Sequence, residues 1–126
     1  MLKTNTTDVI IIGAGPAGSR AACRLATLGH QVVLLEKRAT GNEPVCCTGL
    51  ISPRCFEAFG VEPPLIINHY RSAIVHMPSG ERISISRPEV QAVAVDRSAF
   101  DRSLMQKAVS QGARLEMGTT VEGIEI

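Results

Sequence analysis

Tryptophan is absent, and Tyr70, Phe56, Phe59 and Phe100 are the only aromatic residues. A base-stacking platform for single-stranded nucleic acid therefore has too little to build on. Excess charge of either sign is also missing. Thirteen Lys and Arg against twelve Asp and Glu leave a net charge of +1. That removes the electrostatic footprint by which a chain finds nucleic acid or an anionic membrane. No apolar run approaches the roughly 18 residues of a membrane helix. The N-terminus carries Lys3 but neither the long apolar stretch nor the small-residue cleavage site of a signal peptide, so a cytoplasmic chain is expected. Cys23, Cys46, Cys47 and Cys55 form no C-x-x-C pair, and His30, His69 and His76 have no metal-ligand spacing around them. Neither a metal site nor a disulfide framework is expected. Asn5-Thr6-Thr7 fits a glycosylation sequon, but a chain that is not secreted never meets that machinery.

What is present is ordinary globular composition in 126 residues, 44% hydrophobic and 20% charged, enough for one domain or part of one. Residues 8–13 (Asp-Val-Ile-Ile-Ile-Gly) are a short β-branched run ending in glycine, the pattern of a strand buried on both faces in a parallel sheet. Gly13, Gly15 and Gly18 follow in G-x-G-x-x-G spacing. Ala17, Ala21, Leu25 and Leu28 recur at helical spacing, with Arg20, Arg24 and Thr27 off that stripe. Pro16 suits the first turn of the helix and Gly29 the position just past its end. Residues 31–36 read as a second buried strand closed by Glu36. Strand, glycine turn, helix and strand over 8–36 make a right-handed βαβ unit.

The pattern breaks after Glu36. Residues 37–51 read as loop. Ser52 then offers an N-cap, Pro53 a first helical residue and Gly60 a stop, around a short helix carrying Cys55 and Phe59 at i and i+4. The segment 61–64 reads as a connector. Ala73, Val75 and Met77 alternate on one strand and Ile83 and Ile85 on another, with a hairpin turn at 78–80; residues 90–95 read as a third strand of the same antiparallel sheet. Ser98 and Asp101 fit a capping box. Phe100, Leu104 and Ala108 form a helical stripe that Gly112 ends. Residues 114–117 and 121–126 read as two return strands.

The glycine turn has a definite physical use. Gly13 permits the tight turn, Gly15 lets backbone approach a pyrophosphate, and Gly18 lets helix pack on strand. The helix N-terminus offers unpaired N–H groups to phosphate. Glu36, 23 residues after Gly13, can accept hydrogen bonds from adenosine ribose hydroxyls and disfavours a 2′-phosphate. Lys37 and Arg38 could soften that repulsion, but a solvated strand end is the simpler reading for both. The expected ligand is FAD or NAD(H), and the βαβ unit alone does not separate them.

The run from Asp8 to Gly18, with Val33-Leu34-Leu35-Glu36-Lys37, resembles the N-terminus of two-dinucleotide-binding-domain flavoproteins, in which the ligand is FAD. The stretch Val95 to Leu104, with its Asp96-Arg97 pair, followed by Gly112 to Leu115, is similar to the second landmark of the aromatic-hydroxylase-like branch. Cys47-Thr48-Gly49-Leu50-Ile51-Ser52 resembles the flavin-side loop of the geranylgeranyl reductase family, though it is less glycine-rich than in many members. That resemblance implies an α/β fold, a Rossmann-like FAD-binding βαβ domain with an inserted antiparallel β-sheet, as an incomplete domain. Its parts are the βαβ unit at 8–36, the flavin loop and short helix at 41–60, the inserted hairpin and sheet at 71–95, the helix at 98–111, and the return strands at 114–126.

The same resemblance implies a set of cofactor-side residues. Gly13, Gly15, Pro16, Ala17 and Gly18 would line the pyrophosphate, with Glu36 and Lys37 at the ribose. Cys47, Thr48 and Gly49 would lie on the flavin side, Arg97 near the cofactor, and Val121 would offer backbone to adenine. Cys47 would be the catalytic residue. Cys46 reads as its packing neighbour, and Cys23 and Cys55 as small apolar fillers. Seven residues separate Cys47 from Cys55, which departs from the dithiol spacing of flavin disulfide reductases. The implied activity is FAD-dependent reduction of isoprenoid double bonds, with an apolar isoprenoid lipid as substrate and NAD(P)H or ferredoxin as external electron donor. No nucleic-acid partner is implied, and the complete enzyme would touch the inner face of the membrane peripherally. The alternatives are a flavin monooxygenase of the hydroxylase branch and a non-catalytic nucleotide-binding fragment. The later Asp-Gly and Gly-Asp segments of complete members are not in this chain, so it is expected to be an N-terminal third or a truncated reading frame, inactive by itself.

Overall fold

A computed structural model describes residues 7–60 and 62–125. The Asn5 sequon, the Val61 position of the connector and Ile126 lie outside the described residues. Contacts divide the chain into two units, Met1–Pro44 with Ser98–Ile126, and Val45–Arg97. Among the described residues no helix is long and apolar enough to cross a membrane, and no group of His, Cys, Asp or Glu is arranged to hold a metal ion.

The first unit is a parallel sheet backed by helices. Strand β1 (Val9–Ile12) leads through the glycine turn into helix α1 (Pro16–Thr27) and back along β2 (Val32–Leu35). Helix α3 (Arg97–Ser110) leads to strand β8 (Arg114–Glu116). The sheet order is β1-β2-β8, all parallel, with Val9 opposite Val32 and Leu34 opposite Leu115. The core lies on one face of it: Val32 and Leu34 pack with Ala14, Ala22, Met105, Ala108 and Ala113. Phe100, Leu104 and Ala108 are buried as their spacing predicts.

Two expectations for this unit are corrected. Strand β1 is not buried on both faces, since Ile10 is 61% and Ile12 55% exposed. The core helices supply their packing residues to the opposite face of the sheet, where Ile11 points. Of the stripe Ala17, Ala21, Leu25 and Leu28, only Leu25 packs against the core. Ala17 and Ala21 are exposed and Leu28 is 62% exposed, while Ser19 and Ala22 are buried. A side chain on Gly18 would overlap the carbonyl oxygen of Gly13 and crowd Ile11. That close approach fixes the helix rotation, and the 3.6-residue period then carries Ala22 and Ala26 to the sheet. The helix ends as expected, with Pro16 first and Gly29 at φ +91° just past the last turn.

The capping box at Ser98 does not form. Helix α3 already begins at Arg97, the Ser98 hydroxyl donates to the Glu43 carbonyl at 3.3 Å, and Asp101 is buried. The return strand expected over 121–126 is absent through Glu125, and no ladder partner stands beside it among the described residues.

The second unit is antiparallel. Strand β3 (Leu50–Ile51), helix α2 (Pro53–Phe59), a 3-10 turn (Pro63–Leu65) and strands β4 (Ile66–Tyr70), β5 (Ser72–His76), β6 (Arg82–Ser86) and β7 (Ala92–Val95) follow in order. Ser52 caps α2 by accepting from the Cys55 N–H at 3.1 Å, and Gly60 ends it in the left-handed region. Phe56, not Cys55 or Phe59, is the buried residue of that helix. The hairpin pairs as its alternation predicts, Ala73 opposite Ile85 and Val75 opposite Ile83. It is not one sheet with the third strand, however. Strand β7 pairs with β3 and β4 instead, in the order β3-β7-β4. Strand β3 falls inside the loop expected over 37–51, and β4 in residues to which no element was assigned: β3 is two residues long, and the polar Asn68-His69 in β4 masks the period-2 signal.

Candidate cofactor site

In the first unit the chain turns from β1 at Gly13, whose N–H donates to the Leu35 carbonyl at 2.7 Å with φ at +97°. Gly15 is the N-cap of α1, in ordinary extended geometry, with no side-chain cap and no acidic residue in the first turn. A Cβ at Gly15 would meet nothing of the chain within 4 Å. Glycine at 18 is thus explained by the chain's own packing. Glycine at 15 is not: its missing side chain leaves space in front of an uncapped helix N-terminus, the arrangement that receives phosphate. Pro16 removes the N–H of the first helical residue, and Ala17 is exposed beside it.

Glu36 is 5% exposed. One carboxylate oxygen, Oε2, accepts from the Ala14 N–H at 2.7 Å. The other, Oε1, accepts from the Arg38 backbone N–H at 3.0 Å and from Arg38 Nε at 3.1 Å. Burial pushes its pKa upward, but the Arg38 and Ala14 N–H groups and the Arg38 guanidinium outweigh that and hold the carboxyl below its usual range. A carboxylate has about four acceptor positions. Three are filled, so one on Oε2 remains for a hydroxyl donor. The residues therefore fit a dinucleotide: an open phosphate cradle, and an ionised acceptor tied directly to the glycine turn.

Sequence reading passed over two members of this cluster. Arg38 is no solvated strand end; its guanidinium lies between Glu36 and the buried Asp101, 3.9 Å from the latter. Asp101, taken for a cap, is the second carboxylate of that arrangement. An Arg two residues past the acidic residue was visible, but nothing local showed where Asp101 would lie. Lys37 is exposed, and Val121 lies half-buried in irregular backbone. The Thr119 N–H donates to the Glu36 carbonyl and the Gly118 N–H to the Arg38 carbonyl, which ties the segment before Val121 to the end of β2.

In the second unit, three residues singled out from sequence meet. Arg97 Nη1 donates to Cys47 Sγ at 3.0 Å, and the Gly49 N–H donates to the same sulfur at 3.5 Å. Gly49 is buried at φ +68°, and a side chain there would overlap the Val95 carbonyl. The Gly49 carbonyl in turn accepts from the Val95 N–H at 3.0 Å. The cysteine loop is thereby fastened to β7 immediately before Arg97. Thr48 is exposed, its hydroxyl accepting weakly from the Leu50 N–H. Among the described residues no cysteine is in a disulfide; Cys46 and Cys47 are exposed, and Cys23 and Cys55 half-buried.

Comparison with known proteins places these features. The family described as FAD binding domain matches residues 6–126. The digeranylgeranylglycerophospholipid reductase of Methanocaldococcus jannaschii is 35% identical over 120 residues, 94% of this chain and 30% of that protein. Digeranylgeranylglycerophospholipid reductase 1 of Methanopyrus kandleri is 37% identical over 112 residues, 87% of this chain and 29% of that protein. Among solved structures, a geranylgeranyl bacteriochlorophyll reductase-like protein from Thermoplasma acidophilum superposes with a TM-score of 0.78 at 26% identity, covering 89% of this chain and 30% of that one. The chain spans about 30% of the length of the curated relatives it matches.

Proposed function

The chain belongs to the FAD-binding-domain family, with FAD as its cofactor, and from that premise we propose that it serves a flavin-dependent reductase of isoprenoid double bonds. The observation that supports this most is the 35% identity over 94% of the chain to an archaeal digeranylgeranylglycerophospholipid reductase. Bound FAD supplies the hydride. The chain's own residues bind and orient. Gly13, Gly15, Pro16, Ala17 and Gly18 receive the pyrophosphate at the α1 N-terminus. The remaining acceptor position of Glu36 takes an adenosine ribose hydroxyl, with Lys37 at the rim and the Val121 backbone toward adenine.

Cys47, Thr48, Gly49 and Arg97 serve the flavin side in this reading. Saturating an alkene needs a hydride on one carbon and a proton on the other. Cys47 Sγ is the group assigned to give that proton. The Arg97 guanidinium, already donating to the sulfur, favours the negative charge left on it. The substrate is an isoprenoid lipid, and NAD(P)H or ferredoxin restores the reduced flavin. Peripheral contact with a membrane surface belongs to the same reading. The experiment is anaerobic incubation of the flavin-loaded protein, chemically reduced, with a geranylgeranyl lipid, followed by mass spectrometry. Hydrogenated lipid is the expected product. Lipid left unchanged under these conditions, with an aromatic substrate hydroxylated in a parallel incubation of the reduced protein in air, would overturn the proposal in favour of a monooxygenase.

A further inference from the structure

Glu36, Arg38 and Asp101 all belong to the first unit, yet only Glu36 has been given a task. The main chain around Glu36 is pinned. Its N–H donates to the Glu116 carbonyl and its carbonyl accepts from the Thr119 N–H, both at 2.9 Å. With the backbone fixed, the open acceptor position on Oε2 points where the carboxylate plane is turned. The torsion that turns a glutamate carboxylate is soft, with a broad two-fold profile. The Ala14 N–H holds Oε2 alone at 2.7 Å, and a plane held at one oxygen can swing about it. Arg38 holds the other oxygen twice, through its backbone N–H and through Nε. The guanidinium contact is the charged one, and charge-assisted hydrogen bonds are the stronger class.

Arg38 in turn needs a hold, because fixing a long arginine side chain costs it much rotamer freedom. Its side chain is 19% exposed, and a second nitrogen, Nη1, lies 3.9 Å from Asp101 Oδ2. The Asp101 side chain is 3% exposed. A carboxylate that deep is costly unless a cation stands beside it. It comes from a fixed turn of α3, where Phe100 and Leu104 are buried on either side of it in sequence. The Arg38 carbonyl accepts from the Gly118 N–H at 2.7 Å, so the arginine backbone is held as well. One planar group thus meets two carboxylates through two of its nitrogens, which sets both distance and orientation.

We infer that Arg38 and Asp101 are positioning residues for the cofactor: Asp101 holds the Arg38 guanidinium, Arg38 holds the Glu36 carboxylate, and the open position on Oε2 is thereby aimed at the adenosine ribose. The inference rests on the ribose reading of Glu36 and adds to it two residues that set FAD affinity through Glu36. Neither takes part in the chemical step.

The test measures dissociation constants of FAD and of FMN by flavin fluorescence, below the unfolding temperature of every variant. Asp101→Asn and Arg38→Gln should each weaken FAD about fivefold, the scale of coupling between residues in one network, and leave FMN unchanged. Arg38→Lys keeps the charge but not the two-nitrogen bridge, and should restore part of the loss. Asp101→Asn added to Arg38→Gln should weaken FAD no further. If Asp101→Asn does not fold, Asp101→Glu, which keeps the charge but lengthens the reach, takes its place with the same expected order. FAD and FMN weakened together would reduce the cluster to a tie between α3 and β2 and overturn the inference. So would an Asp101 effect that persists in full without Arg38. FAD binding untouched by the Arg38 and Asp101 variants but weakened by Glu36→Gln would overturn it and leave the ribose reading standing. FAD binding untouched by Glu36→Gln would remove the ribose reading itself.

Discussion

The glycine turn and the cysteine loop both look like binding segments, yet they are built in opposite ways. Around Gly13 to Gly18 the constraints come from close backbone packing and one buried side chain, Glu36. A helix is pressed on a strand at Gly18, and a buried carboxylate is tied to Ala14 and Arg38. Slack remains in front of Gly15, where an added Cβ would meet nothing within 4 Å. The cysteine loop is fastened at Gly49 and Arg97, but Cys47 and Thr48, the residues proposed to face the flavin, are exposed, as are all residues of the hairpin beyond it. The first region can present a rigid array of N–H donors to a fixed ligand. The second offers exposed apolar side chains, Leu50, Tyr70, Val75 and Ile83 among them.

That contrast breaks most readily at Gly18. Gly18→Val should remove flavin binding and destabilise the first unit by about 3 kcal/mol, because the obstacle is backbone and cannot move aside. Chemical denaturation and flavin content of the purified variant check it. Gly15→Ala, by contrast, should leave stability within about 0.5 kcal/mol and still weaken FAD. A Gly15→Ala protein with unchanged FAD affinity would show that the space in front of α1 is not used.

Glu36 sharpens the comparison through pH. Its carboxyl lies below the usual range in the folded chain, so the ionised form is favoured by folding. The resulting stability is fully present above the ordinary glutamate pKa, near about 4.3, and is lost as pH falls through the lowered folded value. Glu36→Gln should lose about 2 kcal/mol at neutral pH, the scale for a buried acceptor of charged hydrogen bonds. It should also flatten the acid limb of stability against pH. A parallel, unflattened acid limb would mean other carboxylates set it.

Much of the first region was legible because its signals are local. Pro16 and Gly29 bound α1, Gly13 and Gly18 mark a close approach, and Glu36 closes a β-branched strand. What misled was a helix with apolar residues on more than one side. Ala17, Ala21, Leu25 and Leu28 make a stripe as regular as the true one, and only the Gly18 contact decides between them. The Arg38–Asp101 and Cys47–Arg97 contacts join residues 63 and 50 positions apart. Spacing does not report such pairs. Resemblance had named Cys47 and Arg97 separately and left their contact unseen. In the second unit the short β3 and the polar β4 escaped, which is why β7 was assigned to the hairpin.

Smaller effects follow. Cys47→Ser should slow or shorten double-bond reduction while flavin stays bound, and Cys46→Ser should do little; product distributions by mass spectrometry distinguish them. If Cys46 alone matters, the proton is not given by Cys47. Ala21→Gln, on the exposed face of α1, should change stability by less than about 0.5 kcal/mol, whereas Ala22→Gln should cost several times more. Thermal unfolding of the two variants tests which face of the helix meets the sheet.

The central claim is that the first unit recognises FAD through the glycine turn and the one open acceptor position of Glu36. Its most direct test is the equilibrium dissociation constant of FAD and of FMN, which lacks the adenosine half, for the wild-type protein and for Glu36→Gln. The account predicts that FAD binding weakens tenfold or more in the variant and that FMN binding does not change. FAD affinity unaltered by the substitution, or FAD and FMN weakened equally, would contradict it.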